Sequence, residues 1–291
     1  MLALAGETLV DLVLEGESPL RFAGALGGSV LNTASVLARL GFPVRFLSEV
    51  GTDWLSAWSE AEMARRGLEA RLFRHPGPMP LALVRLDPEG NARYSFHRPF
   101  QEAFRPEPGA LRGAEAFHFG SLFALEARAA KGIRALLQEA LREGALVSYD
   151  PNLRHPPTEG ERSLVADYLA QVHLLKLSLE DARLLFPEGP LEGVRRLPIP
   201  LKVLTLGPEG AVAFLGEGEV RVPGERVSVV DTVGAGDASP PPSSPFSSGG
   251  ATARPTWRPF PGRTSRGPKG GRGPLRPGLH RAGGGASRGG A

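Results

Sequence analysis

Asp231-Thr232-Val233-Gly234-Ala235-Gly236-Asp237 sets two carboxylates around a glycine-rich turn, directly after the strand-like run Val227 to Val230. If a helix starts at this turn, its first backbone N–H groups have no intrahelical acceptor and form an anion cradle. Asp237 then stands beside that cradle as a base. This is equipment for phosphoryl transfer, which asks for positioning and charge stabilisation more than for covalent chemistry. A second glycine cluster, Gly24-Ala25-Leu26-Gly27-Gly28-Ser29-Val30-Leu31-Asn32, opens another helix. Asn32 would face back along its first turn as a neutral group that both donates and accepts, suited to hydroxyls, and Asp11 adds an acceptor after the first strand. No Gly-x4-Gly-Lys-Ser/Thr string occurs, which argues against a P-loop enzyme. His97, His118, His155 and His173 lack metal-ligand spacing and read as surface or core histidines.

The elements that must position these groups are legible as alternating strands and helices through residues 1–238. Leu2 to Ala5 is a short apolar run, and Ser29 to Leu40 has helical spacing, with Val30, Ala34, Leu37 and Ala38 on one face. Val44 to Leu47 reads as a strand, and Trp54 to Arg66 as a helix closed by Gly67, with Trp54, Leu55, Trp58 and Met63 assigned to core packing. Leu81 to Leu86 and Arg93 to Phe96 are strands joined by the hairpin turn Asp87-Pro88-Glu89-Gly90. Phe117 to Phe119 leads to one amphipathic helix, Ala124 to Arg142, with Ile133, Leu136, Leu137 and Leu141 along one side. Leu146 to Tyr149 delivers Asp150-Pro151-Asn152-Leu153-Arg154, and Leu174 to Leu177 is followed by a helix through Leu185. Val203 to Leu206, Ala211 to Leu215 and Val220 to Val222 complete the set. The alternation predicts an α/β fold with a mainly parallel sheet covered on both faces, binding ligands beyond the carboxyl ends of its strands.

Composition divides the 291-residue chain at Ala238. Eight Arg and one Lys follow it with no Asp or Glu, so residues 1–238 hold the other 25 basic and all 31 acidic residues, a balance of −6. The 53-residue tail holds 13 Gly and 10 Pro, too little apolar surface to offset chain entropy, and reads as disordered or frame-shifted. Cysteine is absent, which excludes a disulfide framework and thiolate metal sites and suits a reducing compartment. With no basic-then-apolar leader and no apolar run of membrane-spanning length, the expectation is a cytoplasmic protein without a membrane partner.

Taken together, residues 2–238 resemble the ribokinase-like, phosphofructokinase-B type sugar kinases. Gly27-Gly28 through Gly51-Thr52-Asp53 is similar to that family's first signature and Asp231 to Asp237 to the core of its second. Asp150-Pro151-Asn152 and Thr205-Leu206-Gly207-Pro208-Glu209-Gly210 lie between them. The resemblance implies a ribokinase-like domain with a small β lid from about residues 12–24 and 80–100. It also implies ATP-dependent, Mg²⁺-assisted phosphorylation of a sugar hydroxyl. In it, Asp237 is the base and Gly234, Ala235 and Gly236 form the anion hole. Asp11, Gly27, Gly28 and Asn32 hold the sugar, with Arg154 and the lid residues Phe96 and Arg98. Ser178, Thr205, Gly207 and Gly210 line the nucleotide pocket, and Asp231 with the Val233 carbonyl belongs to a monovalent-cation (K⁺) site. Where the family commonly has Asn-x-x-Glu this chain reads Ser178-Leu179-Glu180-Asp181, so Asp181 takes the part of organising hydrated Mg²⁺. Gly6-Glu7-Thr8-Leu9-Val10-Asp11-Leu12, His118-Phe119-Gly120-Ser121-Leu122 and Lys176-Leu177-Ser178 look most like the fructokinase branch. Fructose is therefore the first substrate expected, 2-keto-3-deoxygluconate or another ketose the second, and a homodimer through the lid is implied.

Ser239-Pro240-Pro241-Pro242 stops the helix expected after Asp237, since each interior proline costs about 3 kcal/mol. Suitable codons for SPPPSSPFSSGG, read one base away, encode FTAALLALLQRG, the kind of apolar helix the family has there. A one-base slip in the reading frame is the preferred explanation. Two alternatives are weighed against it: an Arg/Gly-rich arm binding nucleic acid electrostatically, and a sugar-binding sensor without turnover. The arm has Trp257 but few other aromatics, so nucleic acid is not the expected partner.

Overall fold

The computed structural model describes residues 1–86 and 92–224. The Asp87 to Gly90 turn, the Val227 to Val230 run, the Asp231 to Asp237 motif and the tail from Ser239 lie outside the described residues. In chain order the first half holds β1 (Leu2–Ala5), β2 (Leu9–Glu17), β3 (Leu20–Gly27), α1 (Ser29–Arg39), β4 (Val44–Val50), α2 (Trp54–Arg65), β5 (Leu68–Arg74), β6 (Leu81–Leu86) and β7 (Ala92–His97). Then come β8 (Ala116–Gly120), α3 (Ser121–Leu125), α4 (Ala127–Glu143), β9 (Leu146–Asp150), α5 (Glu159–Leu169), β10 (Leu174–Ser178) and α6 (Leu179–Leu185). Last are α7 (Pro190–Arg196), β11 (Leu201–Thr205), β12 (Ala211–Leu215) and β13 (Gly218–Val222).

Nine strands make one sheet in the order β13-β12-β11-β10-β9-β8-β1-β4-β5. Every pair from β5 to β11 is parallel, and β12 and β13 close one edge antiparallel. The side-chain period of two splits β1 between two cores: Leu4 packs with Val30, Leu31 and Ala34 of α1 and Met63 of α2, whereas Ala3 and Ala5 face the other side. That side holds Ile133, Leu136 and Leu137 of α4, Val165 and Tyr168 of α5, Ala182 of α6 and Val194 of α7. Burying each large apolar side chain contributes about 1.5–3 kcal/mol, which is why a sheet of this kind needs helices on both faces. A second sheet, β3-β2-β6-β7, is the small β element expected as a lid, with β6 parallel to β2 and antiparallel to β7.

The structure departs from the sequence reading at several elements. The single helix expected over Ala124 to Arg142 is two, because Glu126 takes an extended backbone (φ −66°, ψ 125°). Its carboxylate there lies between Arg98 and Arg128, at 2.7 and 2.6 Å. Trp54, assigned to core packing, is 75% exposed at the first position of α2, while Met63 is fully buried. β3 escapes an apolar-alternation reading because Leu20 to Ala25 are all exposed. β5 was not assigned although Leu68, Ala70 and Leu72 alternate with Glu69 and Arg71, a readable strand pattern. α5 and α7 were also missed, although Thr158 and Glu161 form a capping box and Pro190 stands at the start of α7, both readable start signals.

Candidate active site at the strand ends

The described residues singled out for chemistry fall partly on the second sheet, as Asp11, Gly27 and Phe96 do, and partly at the carboxyl ends of β9 to β11. Asp11 projects from β2 toward the end of β3, where a Cβ built on Gly27 would lie 2.0 Å from Asp11 Oδ2. Gly28 has φ 133°, and a Cβ there would lie 2.3 Å from the Glu7 carbonyl oxygen. Only glycine allows this approach. The Asn32 N–H donates to the Gly28 carbonyl at 2.9 Å in the first turn of α1, so Asp11, Gly27, Gly28 and Asn32 share one corner. Gly28→Ala is expected to cost about 1–3 kcal/mol of stability through backbone strain and close contact, read by urea denaturation. An unchanged stability would remove the close-packing argument.

On the lid side, the Arg98 guanidinium lies 4.8 Å over the Phe96 ring and donates to Glu126 Oε1 at 2.7 Å. Arg154, reached from the end of β9, lies 5.8 Å over the ring of Tyr94 on the same lid strand. Phe96, Arg98 and Arg154 thus meet at β7. Behind them runs a series of alternating charges. Arg128 bridges Glu126 and Glu49 at 2.6 and 2.7 Å, and buried His75 meets Glu49 at 2.6 Å while stacking on Phe100.

A further group of the expected residues is carried by β9, β10 and β11. Ser178 caps α6 and exchanges hydrogen bonds with Asp181, which also accepts from Leu153 N–H at 2.6 Å. Burial, and then the neighbouring charge of Asp150, raise the Asp181 carboxyl above the usual range. Asp150 pairs with Lys176 Nζ at 2.7 Å. Thr205 donates to the Leu177 carbonyl, and Gly207 (φ 60°) has open space around its backbone. Gly210 (φ 97°) lies so close to the Val222 carbonyl that a Cβ would come within 2.0 Å. Among the described residues no cluster of three or more His, Asp or Glu could hold a metal by itself. Mg²⁺ keeps most of its ligands as water and phosphate oxygens; both Asp181 oxygens already accept from Leu153 and Ser178 and Asp150 is paired with Lys176, so these carboxylates could meet such an ion only through its water shell. Asp237, Gly234, Ala235, Gly236, Asp231 and Val233 lie outside the described residues.

Sequence reasoning noted Glu7 and Ser121 only as parts of longer strings and gave neither a role. Ser121 Oγ donates to Glu7 Oε1 at 2.7 Å, and burial pushes the Glu7 carboxyl up despite this bond and that from Ser29 N–H. A carboxyl raised on folding contributes stability fully below its unfolded value near 4.5 and loses it as pH rises through the folded value. Glu7→Gln is therefore expected to gain stability relative to the native chain as pH rises from 4.5, the gain flattening above the folded value. Thermal melts across pH check this, and a pH-independent difference would contradict it. A cavity of about 410 Å³ lies elsewhere, between β5 and the segment from Phe104 to Ala110, and gathers none of the expected residues.

Residues 1–239 match the model of the pfkB family carbohydrate kinases. The chain is 32% identical over 262 residues to a fructokinase of Rhizobium leguminosarum bv. trifolii, covering 81% of this chain and 76% of that protein. It is 28% identical over 254 residues to fructokinase-1 of Oryza sativa subsp. japonica, covering 80% and 78%. The crystal structure of a fructokinase from Xylella fastidiosa with bound ATP superposes with a TM-score of 0.74 at 27% identity, over 81% of this chain and 78% of that one. No helix among the described residues is long and apolar enough to cross a membrane.

Proposed function

The chain belongs to the pfkB family of carbohydrate kinases, and from that membership we propose that it transfers the γ-phosphoryl group of ATP to a hydroxyl of a ketose, fructose first among them. The observation that supports this reading is the close approach of Asp11 to Gly27 and of the Glu7 carbonyl to Gly28 at the start of α1, with Arg98 and Arg154 packed on Phe96 and Tyr94 of β7. Asp11 and Asn32 orient the sugar hydroxyls, and Phe96 and Arg98 exclude water when the lid is down. Asp237 takes the proton from the attacking hydroxyl, while the N–H groups of Gly234, Ala235 and Gly236 hold the transferring phosphoryl group. Ser178, Thr205, Gly207 and Gly210 receive the nucleotide, and the fructokinase solved with ATP supports this side of the reading. Asp181 would organise hydrated Mg²⁺, which would supply neutralisation of phosphate charge, and Asp231 with the Val233 carbonyl would hold a monovalent cation.

Residues 1–238 form the kinase domain in this reading, and the sequence from Ser239 is the product of the frame slip. Exposed Leu20 and Phe22 on β3 support a homodimer through the lid. The test is ADP release with a panel of ketoses and aldoses, on the 291-residue chain and on a frame-repaired form. Fructose is expected to give the highest kcat/KM. No sugar-dependent ADP release from the repaired form would overturn the proposal.

A further inference from the structure

Gly6-Glu7 and Gly120-Ser121, both singled out in the sequence, meet in the fold although Glu7 and Ser121 are 114 positions apart. Ser121 has φ 63°, a conformation that an L-residue keeps only where its surroundings enforce it. Its hydroxyl is tied to Glu7 Oε1, which also accepts from Ser29 N–H at 3.2 Å, at the first residue of α1. The Glu7 carbonyl is the group that presses on Gly28. Although Glu7 as a whole is only half-buried, its carboxyl is withdrawn, and Oε2 has no hydrogen-bond partner among the described residues. A cavity of about 20 Å³ beside it is shared with Glu49, Arg98, Glu126 and Arg128. A withdrawn carboxyl with an unpartnered oxygen is costly to keep, and Glu7 links its own segment to the start of α1 at Ser29 and to the end of β8 at Ser121.

We propose that Glu7 is a positioning residue of the sugar site, fixing the Gly27-Gly28 cradle against the end of β8 through Ser29 and Ser121. It sets sugar affinity without touching the sugar. The inference rests on the reading of that corner as a sugar cradle. Fructose binding to the full chain, by titration calorimetry, tests it with Glu7→Ala, Glu7→Gln, Ser121→Ala and the Glu7→Ala/Ser121→Ala double variant.

Glu7→Ala is expected to weaken binding about 10-fold or more, because a cradle displaced by a fraction of an ångström loses its alignment. Glu7→Gln keeps an oxygen for Ser121 and Ser29 and should stay within about 3-fold of the native chain. Ser121→Ala should weaken binding as well, and the double variant should be no worse than Glu7→Ala alone, since both act through one link. A merely structural role would lower melting temperatures without this rescue and this non-additivity. Native binding with Glu7→Ala unaffected, Glu7→Gln as damaging as Glu7→Ala, or fully additive losses would each overturn the proposal. Should Glu7→Ala fail to fold, Glu7→Gln and Ser121→Ala decide it: native-like binding by the first with weakened binding by the second supports it, and any other pairing overturns it. A native chain that binds no ketose would overturn the sugar reading, and the proposal with it.

Discussion

Repair of the proposed one-base slip at the Ala238–Ser239 junction is expected to raise sugar-dependent turnover by about 10²-fold or more over the chain as written, because misplacement of a reacting group by about 1 Å costs that much. The physical case begins with the sheet. On the face of β8 to β11 opposite the α4 core, His118, Ser148, Lys176 and Thr205 are only half-buried. Leu215, Val220 and Val222 at the β12–β13 edge are 62%, 64% and 56% exposed. An apolar helix such as FTAALLALLQRG, following Asp237 directly, is the kind of element that covers such a surface and keeps anion-hole N–H groups rigid; Ser239-Pro240-Pro241-Pro242 cannot supply one. Coupled assay of ADP release from both forms, at equal protein concentration, measures the ratio. Equal and robust turnover by the two would refute the slip, as would an intact frame in the gene accompanied by full activity.

In the repaired protein, Asp237→Asn should lower kcat by about 10²-fold or more, since general-base catalysis typically supplies 10²–10⁴-fold. The amide keeps the size of the carboxylate and can still hydrogen-bond the sugar, but it cannot accept the proton. The loss should therefore appear in kcat with KM for fructose little changed, the pattern of an interaction made chiefly in the transition state. Near-normal kcat would remove Asp237 from the mechanism. A loss confined to KM would make it a binding group instead.

Much of this arrangement was legible in the sequence because it depends on local patterns. The apolar spacing of Val30, Ala34 and Leu37 specifies α1, and glycines at positions 27 and 28 announce a close approach that the fold then shows against Asp11 and Glu7. What stayed hidden depends on partners distant in the chain. Glu126 breaks a continuous amphipathic pattern for the sake of Arg98 and Arg128, and no periodicity encodes that. Glu7 looks like an ordinary residue after a strand until Ser121 arrives beside it. β3 carries its side chains into solvent, so the alternation that marks half-buried strands is missing. Ser178 and Asp181 were visible as a shortened motif whose mutual capping is local, but the bond from Leu153 to Asp181 required the return of the chain from β9.

The charge series Arg98, Glu126, Arg128, Glu49 also shapes how this protein could change over evolutionary time. Each interior member serves two neighbours, so losing Glu126 leaves Arg98 without its carboxylate and Arg128 with Glu49 alone, in a partly buried place. Single replacements there meet a barrier, whereas a matched acid–base pair can leave together at far smaller cost. The segment after β7 is thus yoked to the end of β4 by a linkage whose members are best exchanged in pairs. A lineage that replaces Arg98 would be expected to alter Glu126 in step.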